Sequence, residues 1–287
     1  MKLPEIDTIL LFERFSMPIY KQNSYENIQF PDPELPVIFH CDTLRREDDF
    51  IMHWQDSPEL LYFIEGEAEV VSDIQREVCR TGEIAFINCG QLHTVRPLTP
   101  VCRYYCLIAE REFLEQQGVP AGTVPARLRL SDPGLSELFE QIIREMLSRE
   151  AYYRPAVKAC VLSLTAQILR HYPEQRELTT PAQDKRIAMV KAAVRYIQEH
   201  FAEELDIDKI SAAAGFSKYH FCRGFKEVTG RTPVENLNFV RCSCARRLIL
   251  SGRCNVSEAA ERCGFANLSY FSRTYRRYMG VLPSQEK

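Results

Sequence analysis

The chain reads as an α+β multidomain protein: a β-barrel or sandwich carrying a helical hairpin, followed by an all-α domain. Three observations predict this. Short runs of β-branched and aromatic residues, separated by turn signals, fill the chain up to about Ala109. After Pro125, apolar residues recur at helical spacing. Near the C-terminus two stretches of sequence repeat one another.

The strand runs are Glu59–Ile64, Ala68–Val71, Ile84–Ile87 and Val101–Ile108, punctuated by Gly66 and Gly82. Many short strands with such punctuation point to a barrel or a sandwich. The first helix opens behind Ser131-Asp132-Pro133, a helix-start signal, and carries Leu135, Leu138, Phe139, Ile142, Ile143 and Met146. A second runs from about Pro155 to Leu169 with Val157, Val161, Leu162, Leu164, Ala166, Ile168 and Leu169. The pair makes a hairpin whose apolar surplus either packs on the barrel or joins a second copy of the chain. The polar stretch from Tyr172 to Asp184, with Pro173 and Pro181, is the expected linker. The boundaries are therefore 1–125 for a regulatory barrel, 126–172 for the hairpin, 173–184 for the linker and 185–287 for the all-α domain.

The composition, 45% apolar and 26% charged, is that of an ordinary globular chain. No apolar run approaches the roughly 18 residues of a membrane span. Met1 to Phe15 has acidic residues where a secretory signal would be basic, so no export signal is read and a cytoplasmic protein is expected. The 11 cysteines are odd in number and scattered, and Cys242 and Cys244 lack zinc-finger spacing. Reduced thiols are the expectation. The net charge of -3 hides an asymmetry. Pro181–Lys287 holds 18 Lys and Arg against 11 Asp and Glu, whereas Met1–Thr180 holds 18 against 28. A basic tail on an acidic body fits a phosphate-binding module beside a separate regulatory part.

The repeat compares Ile207–Pro233 with Val256–Pro283. The first copy reads Gly215-Phe216-Ser217-Lys218-Tyr219-His220-Phe221-Cys222-Arg223-Gly224-Phe225, then Gly230 and Pro233. The second reads Gly264-Phe265-Ala266-Asn267-Leu268-Ser269-Tyr270-Phe271-Ser272-Arg273-Thr274-Tyr275, then Gly280 and Pro283, with one extra residue in its turn. Ile207, Ile210 and Ala214 match Val256, Ala259 and Cys263. Each copy supplies what a helix-turn-helix needs: a short helix with one apolar face, a glycine for a tight turn, and a second helix that hides its aromatics. Phe216 or Phe265 is expected to plug the angle between the helices. Ser217, and Asn267 or Ala266, open the second helix, and Gly230 and Gly280 close it. Arg223 and Arg273 then face outward.

From about Ala188 to Ser284 the chain resembles the DNA-binding domain of the AraC/XylS family. The run Ala260-Glu261-Arg262-Cys263-Gly264-Phe265, then Tyr270-Phe271-Ser272-Arg273-Thr274-Tyr275-Arg276-Arg277-Tyr278-Met279-Gly280 and Pro283-Ser284, is close to that family's signature. The resemblance implies two helix-turn-helix units joined by a long helix at about Pro233–Leu250. It implies base reading by Lys218, Tyr219, Cys222 and Arg223 in the first unit. In the second it implies Asn267, Leu268, Ser269 and Arg273, where Leu268 either touches a thymine methyl or does not face DNA. Arg223 and Arg273 suit bidentate pairing with guanine. Arg246, Arg247, Arg276 and Arg277 suit phosphates, which position without specifying sequence.

Over about Ile38–Ile108 the chain resembles the two cupin barrel motifs, through His53-Trp54-Gln55, Glu59 and Gly66, then Gly82 and Asn88-Cys89-Gly90-Gln91-Leu92-His93. The fold class is therefore an N-terminal cupin-like β-barrel with a helical hairpin and a C-terminal all-α double helix-turn-helix domain. Metal-binding cupins use two His, a Glu and a later His. Here the positions are His53, Gln55, Glu59 and His93, and glutamine is a poor ligand beside imidazole. The expectation is a pocket without metal or cofactor, lined by His53, Trp54, Glu59 and His93, with Trp54 equally readable as packing.

The implied function is sequence-specific transcription regulation under a small-molecule effector held in the barrel, with no enzymatic activity. The implied partners are double-stranded DNA, the effector, RNA polymerase if the protein activates, and a second copy of the chain if the hairpin dimerises. The alternatives are a metal-dependent cupin enzyme fused to a DNA-binding domain and a transcription factor that senses nothing.

Overall fold

The computed structural model describes residues 25–26, 28–45, 52–120, 127–173, 181–252 and 254–286. The expectation read on Met1–Phe15, and residues 174–180 of the expected linker, lie outside them. The described residues fall into two compact units, one carrying the strands and the other the C-terminal helices.

The first unit holds β1 (Tyr25–Glu26), β2 (Val37–Arg45), β3 (Trp54–Gln55), β4 (Glu59–Glu65), β5 (Glu67–Ser72), β6 (Gln75–Arg80), β7 (Ile84–Ile87), β8 (His93–Pro97), β9 (Val101–Ala109) and β10 (Arg129–Leu130). A five-stranded antiparallel sheet runs β10-β7-β4-β9-β2 and a three-stranded one runs β6-β5-β8. The strand alternation decides what each face of the larger sheet carries. Glu59 lies opposite Ile108, Leu61 opposite Cys106 and Phe63 opposite Tyr104 on the face turned to the second sheet. Leu60 opposite Leu107 and Tyr62 opposite Tyr105 occupy the other face. At the β4–β5 turn Gly66 has φ +77°, and a Cβ there would lie 2.3 Å from the Val101 carbonyl oxygen, so only glycine fits.

The outer face of that sheet is covered by helices. After the short α1 (Arg111–Gln116) come α2 (Pro133–Ser148) and α3 (Tyr153–His171). Asp132 caps α2, its side chain accepting from the Gly134 N–H at 2.8 Å. The apolar stripe Leu135, Phe139, Ile142, Ile143 and Met146 is buried with Val157, Val161, Leu164 and Ile168 of α3 and with Leu60, Tyr62, Tyr105 and Leu107 of the sheet. Tyr62 stacks on Phe139 at 5.1 Å and donates its hydroxyl hydrogen to Glu140 at 2.9 Å. Each large apolar side chain buried this way contributes about 1.5–3 kcal/mol. The hairpin's apolar surplus is thus spent on the barrel.

The second unit holds α4 (Pro181–His200), α5 (Ile207–Ala213), α6 (Lys218–Thr229), α7 (Pro233–Leu250), α8 (Val256–Arg262) and α9 (Leu268–Met279). Helix α4 starts at Pro181, inside the stretch expected to be linker. A proline at the first helical position loses no hydrogen bond there, and Asp184 in the first turn suits the helix dipole. The repeat is visible in the backbone. Gly215 donates to Ala212 and Phe216 to Ser211, as Gly264 donates to Glu261 and Phe265 to Ala260. Capping boxes start the linking helix, Thr232 with Glu235, and the first helix of the second unit, Asn255 with Glu258.

The two copies differ at their plugs. Phe265 is 6% exposed, but Phe216 is 38% exposed. Phe216 is thus partly open to solvent, along a groove between α4 and α6. Helix α4 also explains Gly224, a costly residue inside a helix. A Cβ there would meet the Met189 terminal methyl at 2.8 Å, so glycine lets the two helices cross closely.

Candidate nucleic-acid interface and barrel site

In α6 the residues Phe221, Phe225 and Val228 are buried, which turns the opposite face outward. Lys218, Tyr219 and Arg223 are exposed on it and Cys222 is half-buried. Both cations are held by carboxylates. The Lys218 ammonium lies 2.9 Å from Asp208, and the Arg223 Nε–H donates to Glu227 Oε1 at 2.9 Å. These hydrogen bonds raise the pKa of both cations, so each stays charged. Arg186 of α4 contacts the other oxygen of Glu227 at 2.5 Å.

In α9 Phe271 and Tyr275 are buried, while Leu268, Ser269 and Arg273 are exposed. Asn267 caps the helix, its Oδ1 accepting from the Tyr270 N–H at 2.8 Å. That oxygen is tied to the backbone, while the amide hydrogens remain available to donate. Among the described residues no carboxylate pairs with Arg273. The two outward faces are therefore electrostatically unlike.

The four arginines assigned to phosphates also differ. Arg276 is exposed, and Arg277 pairs with Glu235 at 3.2 Å. Arg247 donates to the Cys244 sulfur at 3.4 Å. Arg246 departs from the expectation. It pairs with the buried Glu286 at 3.0 Å, and Glu286 also accepts from the Tyr275 hydroxyl at 2.7 Å. It serves to tie the C-terminus to the domain core. Lys185 and Arg186 on α4 lie along the groove beside the first recognition helix, and sequence reasoning missed them because no periodicity relates α4 to α6.

Inside the barrel, His53, Glu59 and His93 come together, all buried. Their ligating atoms lie within 4.8 Å of one another. A pair of backbone hydrogen bonds, 3.0 and 2.8 Å, joins His53 to His93, and their rings approach to 4.1 Å. The His93 Nδ1–H donates to the Gln91 carbonyl at 2.9 Å, because a carbonyl only accepts. Its Nε2 faces Glu59 Oε2 at 3.0 Å. This contact bridges β4 and β8, and hence the two sheets.

Gln55, read as a lost ligand, has a role of its own. Its Nε2–H donates to the same Glu59 oxygen at 2.6 Å, and the Cys106 thiol donates to Oε1 at 3.1 Å. Three groups are thus positioned to hold a metal, but both carboxylate oxygens already accept hydrogen bonds within the protein. Trp54 is 4% exposed and, by strand alternation, points away from the side shared by His53 and Gln55. Sequence reasoning also missed His40 and Asp42, paired at 3.2 Å on the face that carries Cys106 and Tyr104. Their signal was the alternation within β2.

Two family models match. One, described as an AraC-like ligand binding domain, covers residues 41–165, and one described as a helix-turn-helix domain covers residues 210–287. The chain thus carries an AraC-like ligand binding domain followed by an AraC-type helix-turn-helix domain. It is a DNA-binding transcription regulator with an N-terminal ligand-binding domain. It is similar to the MmsAB operon regulatory protein of Pseudomonas aeruginosa, 32% identical over 89 residues, which are 31% of this chain and 29% of that protein. It is 22% identical to the uncharacterized HTH-type transcriptional regulator YdeC of Bacillus subtilis, over 94% of this chain and 97% of that one. It is 24% identical to the HTH-type transcriptional activator RhaS of Shigella sonnei, over 82% of this chain and 86% of that one. No helix among the described residues is long and apolar enough to cross a membrane.

Proposed function

We propose that this regulator reads an asymmetric duplex site with α6 and α9, and that its barrel holds a small polar effector without a catalytic metal. The observation that carries the first part is one chain presenting two outward recognition faces behind turns with matching hydrogen bonds. No two-fold axis relates two units within a single chain. They should enter successive major-groove segments roughly 34 Å apart. Base readers are Lys218, Tyr219, Cys222 and Arg223, then Asn267, Leu268, Ser269 and Arg273. Arg247, Arg276 and Arg277 meet phosphates, joined by Lys185 and Arg186; Arg246 is withdrawn from that set. Selection from random duplex DNA tests this, and a short perfect palindrome as one monomer's footprint sinks it.

The effector reading rests on the polar interior formed by His53, Glu59, His93, Cys106, His40 and Asp42. A small molecule carrying hydroxyl or amine groups suits those acceptors. Thermal shifts across a metabolite panel test it, and no shift with any compound favours a regulator that senses nothing.

One observation favours the alternative of a metal-dependent enzyme, namely the convergence of His53, Glu59 and His93. Elemental analysis of protein purified without chelator separates the two. Near-stoichiometric iron, manganese or zinc, lost in His53→Ala and His93→Ala, would establish the metal reading. Under the sensor reading the chain is no enzyme and works where the DNA is, in the cytoplasm, with RNA polymerase as a further partner if it activates. Pairing of two copies is a further proposal, which sedimentation tests directly.

A further inference from the structure

The connection between α4 and α5, residues 201–206, is held from two sides. On the side of the first helix-turn-helix, the Lys209 ammonium of α5 donates to the Glu204 carbonyl at 2.6 Å. Asp206 caps the same helix, accepting from the Lys209 N–H at 2.8 Å. On the other side, Arg241 reaches across from the linking helix α7. Its Nε–H donates to the Phe201 carbonyl at 2.7 Å, and Nη2 donates to the Glu203 carbonyl at 2.8 Å. Both bonds carry a charged donor, which makes them stronger than neutral ones. Phe201 directly follows the last residue of α4, where the helix dipole favours a cation.

The second helix-turn-helix meets this connection at its own turn. The Phe201 side chain packs against the core built from Phe239, Phe265, Phe271 and Tyr275. The Arg241 guanidinium lies 5.8 Å from the centre of the Phe265 ring, within the range of a cation–π contact. At Gly264 a Cβ would lie 2.8 Å from the Phe201 carbonyl oxygen and 2.9 Å from that of Ala202. The corresponding turn of the first helix-turn-helix is open. Gly215 has a φ of +78° against +77° at Gly264, but a Cβ on it would meet nothing within 4 Å among the described residues. The two turns share a backbone conformation, and the second alone of the pair is pressed against another element.

We propose that Arg241 is a positioning residue for DNA recognition: by tying residues 201–203 to α7 beside the Gly264 turn, it fixes the offset between α6 and α9 and so sets the spacing accepted between the two halves of the site. This rests on the DNA-binding reading above. Arg241 is half-buried and acts through the two recognition helices. The chain runs from the connection into α5, whose turn places α6. It runs from α7 into α8, whose turn at Gly264 places α9. The Arg241 bonds close a second path between those two placements, beside the linking helix itself. One base pair added between the halves displaces them by about 3.4 Å and rotates them by about 36°. Bonds of 2.7 and 2.8 Å do not survive a shift of that size. The tie therefore resists any spacing but one.

The test uses the full chain and a duplex that the wild type selects from random-sequence DNA. Variants of that duplex carry one base pair inserted or deleted between the two halves. The wild type should bind them at least about ten-fold more weakly than the selected duplex. Arg241→Ala should bind the selected duplex several-fold more weakly and discriminate several-fold less between spacings. A residue that served stability alone would weaken every duplex alike and leave the spacing ratio unchanged. Gly264→Ala should also lower the ratio, because its Cβ pushes the connection away. Gly215→Ala carries the same turn strain without that collision and should keep the ratio. If circular dichroism shows Arg241→Ala unfolded, Arg241→Gln, which loses the charge and the two-pronged donor, is read in the same way. An unchanged ratio in the folded Arg241 variant, or an equal loss of it in Gly215→Ala, overturns the proposal. Hydrogen exchange separates the tie from the DNA reading. Amides of 201–206 and 263–265 should exchange faster in the Arg241 variant, and unchanged exchange overturns the tie. If the wild type selects no duplex, the DNA reading fails and the spacing role with it, while faster exchange still establishes the tie.

Discussion

Arg223 donates its Nε–H to Glu227 one turn later on the same recognition helix, at 2.9 Å. Arg186, from α4, holds the other oxygen of that carboxylate at 2.5 Å. Glu227 thus fixes the direction of the Arg223 guanidinium, proposed above to read a base, and sets a negative charge beside it. Glu227→Ala should bind random DNA more tightly and discriminate less, because it removes repulsion and orientation together. Competition between selected and random duplexes reads both; an unchanged specificity ratio would remove the orienting role.

Arg223→Ala and Arg273→Ala should damage different halves of the site. Each is expected to cost about 1–3 kcal/mol and to relax preference at a base pair. Arg276→Ala should instead weaken binding to every sequence and flatten the salt slope by about one. Binding to half-site mutants across a salt series distinguishes these, and equal losses on specific and random DNA for all three would contradict the assignment.

The barrel offers a stability test. Glu59 accepts from Gln55 and Cys106 and meets His93 Nε2 at 3.0 Å, so Glu59→Ala leaves buried donors without an acceptor. That should destabilise the barrel by about 1–3 kcal/mol or more, with Glu59→Gln costing less. Trp54, the single tryptophan, is buried in this unit and reports its unfolding by fluorescence in urea. A midpoint unmoved by Glu59→Ala would show that the network contributes nothing.

Phe139 is fully buried and stacks on Tyr62, which makes the hairpin part of the barrel's core. Phe139→Ala should cost about 3–5 kcal/mol in the same Trp54 transition. A hairpin that unfolds separately would leave that transition in place.

The sequence by itself determined the repeat, and with it the two helix-turn-helix units. Their signals are local: a glycine at each turn, a cap such as Asn267, and apolar residues spaced for one helix face. The resemblance to the cupin motifs also placed Glu59 and His93 in one pocket, although β4 and β8 belong to different sheets. Only the tertiary structure decided what those residues touch. Gln55 reads in sequence as a missing ligand and in space as a donor to Glu59. His40, Asp42 and Cys106 join the same interior because strand register brings distant segments to one face. Gly224, Phe216 and Arg186 take their meaning from α4 crossing α6, and Arg246 from Glu286 at the far end of the chain. Periodicity reports which side of an element is buried. It carries no information about which element covers it, and that partner decides whether a cation faces DNA, a carboxylate or a thiol.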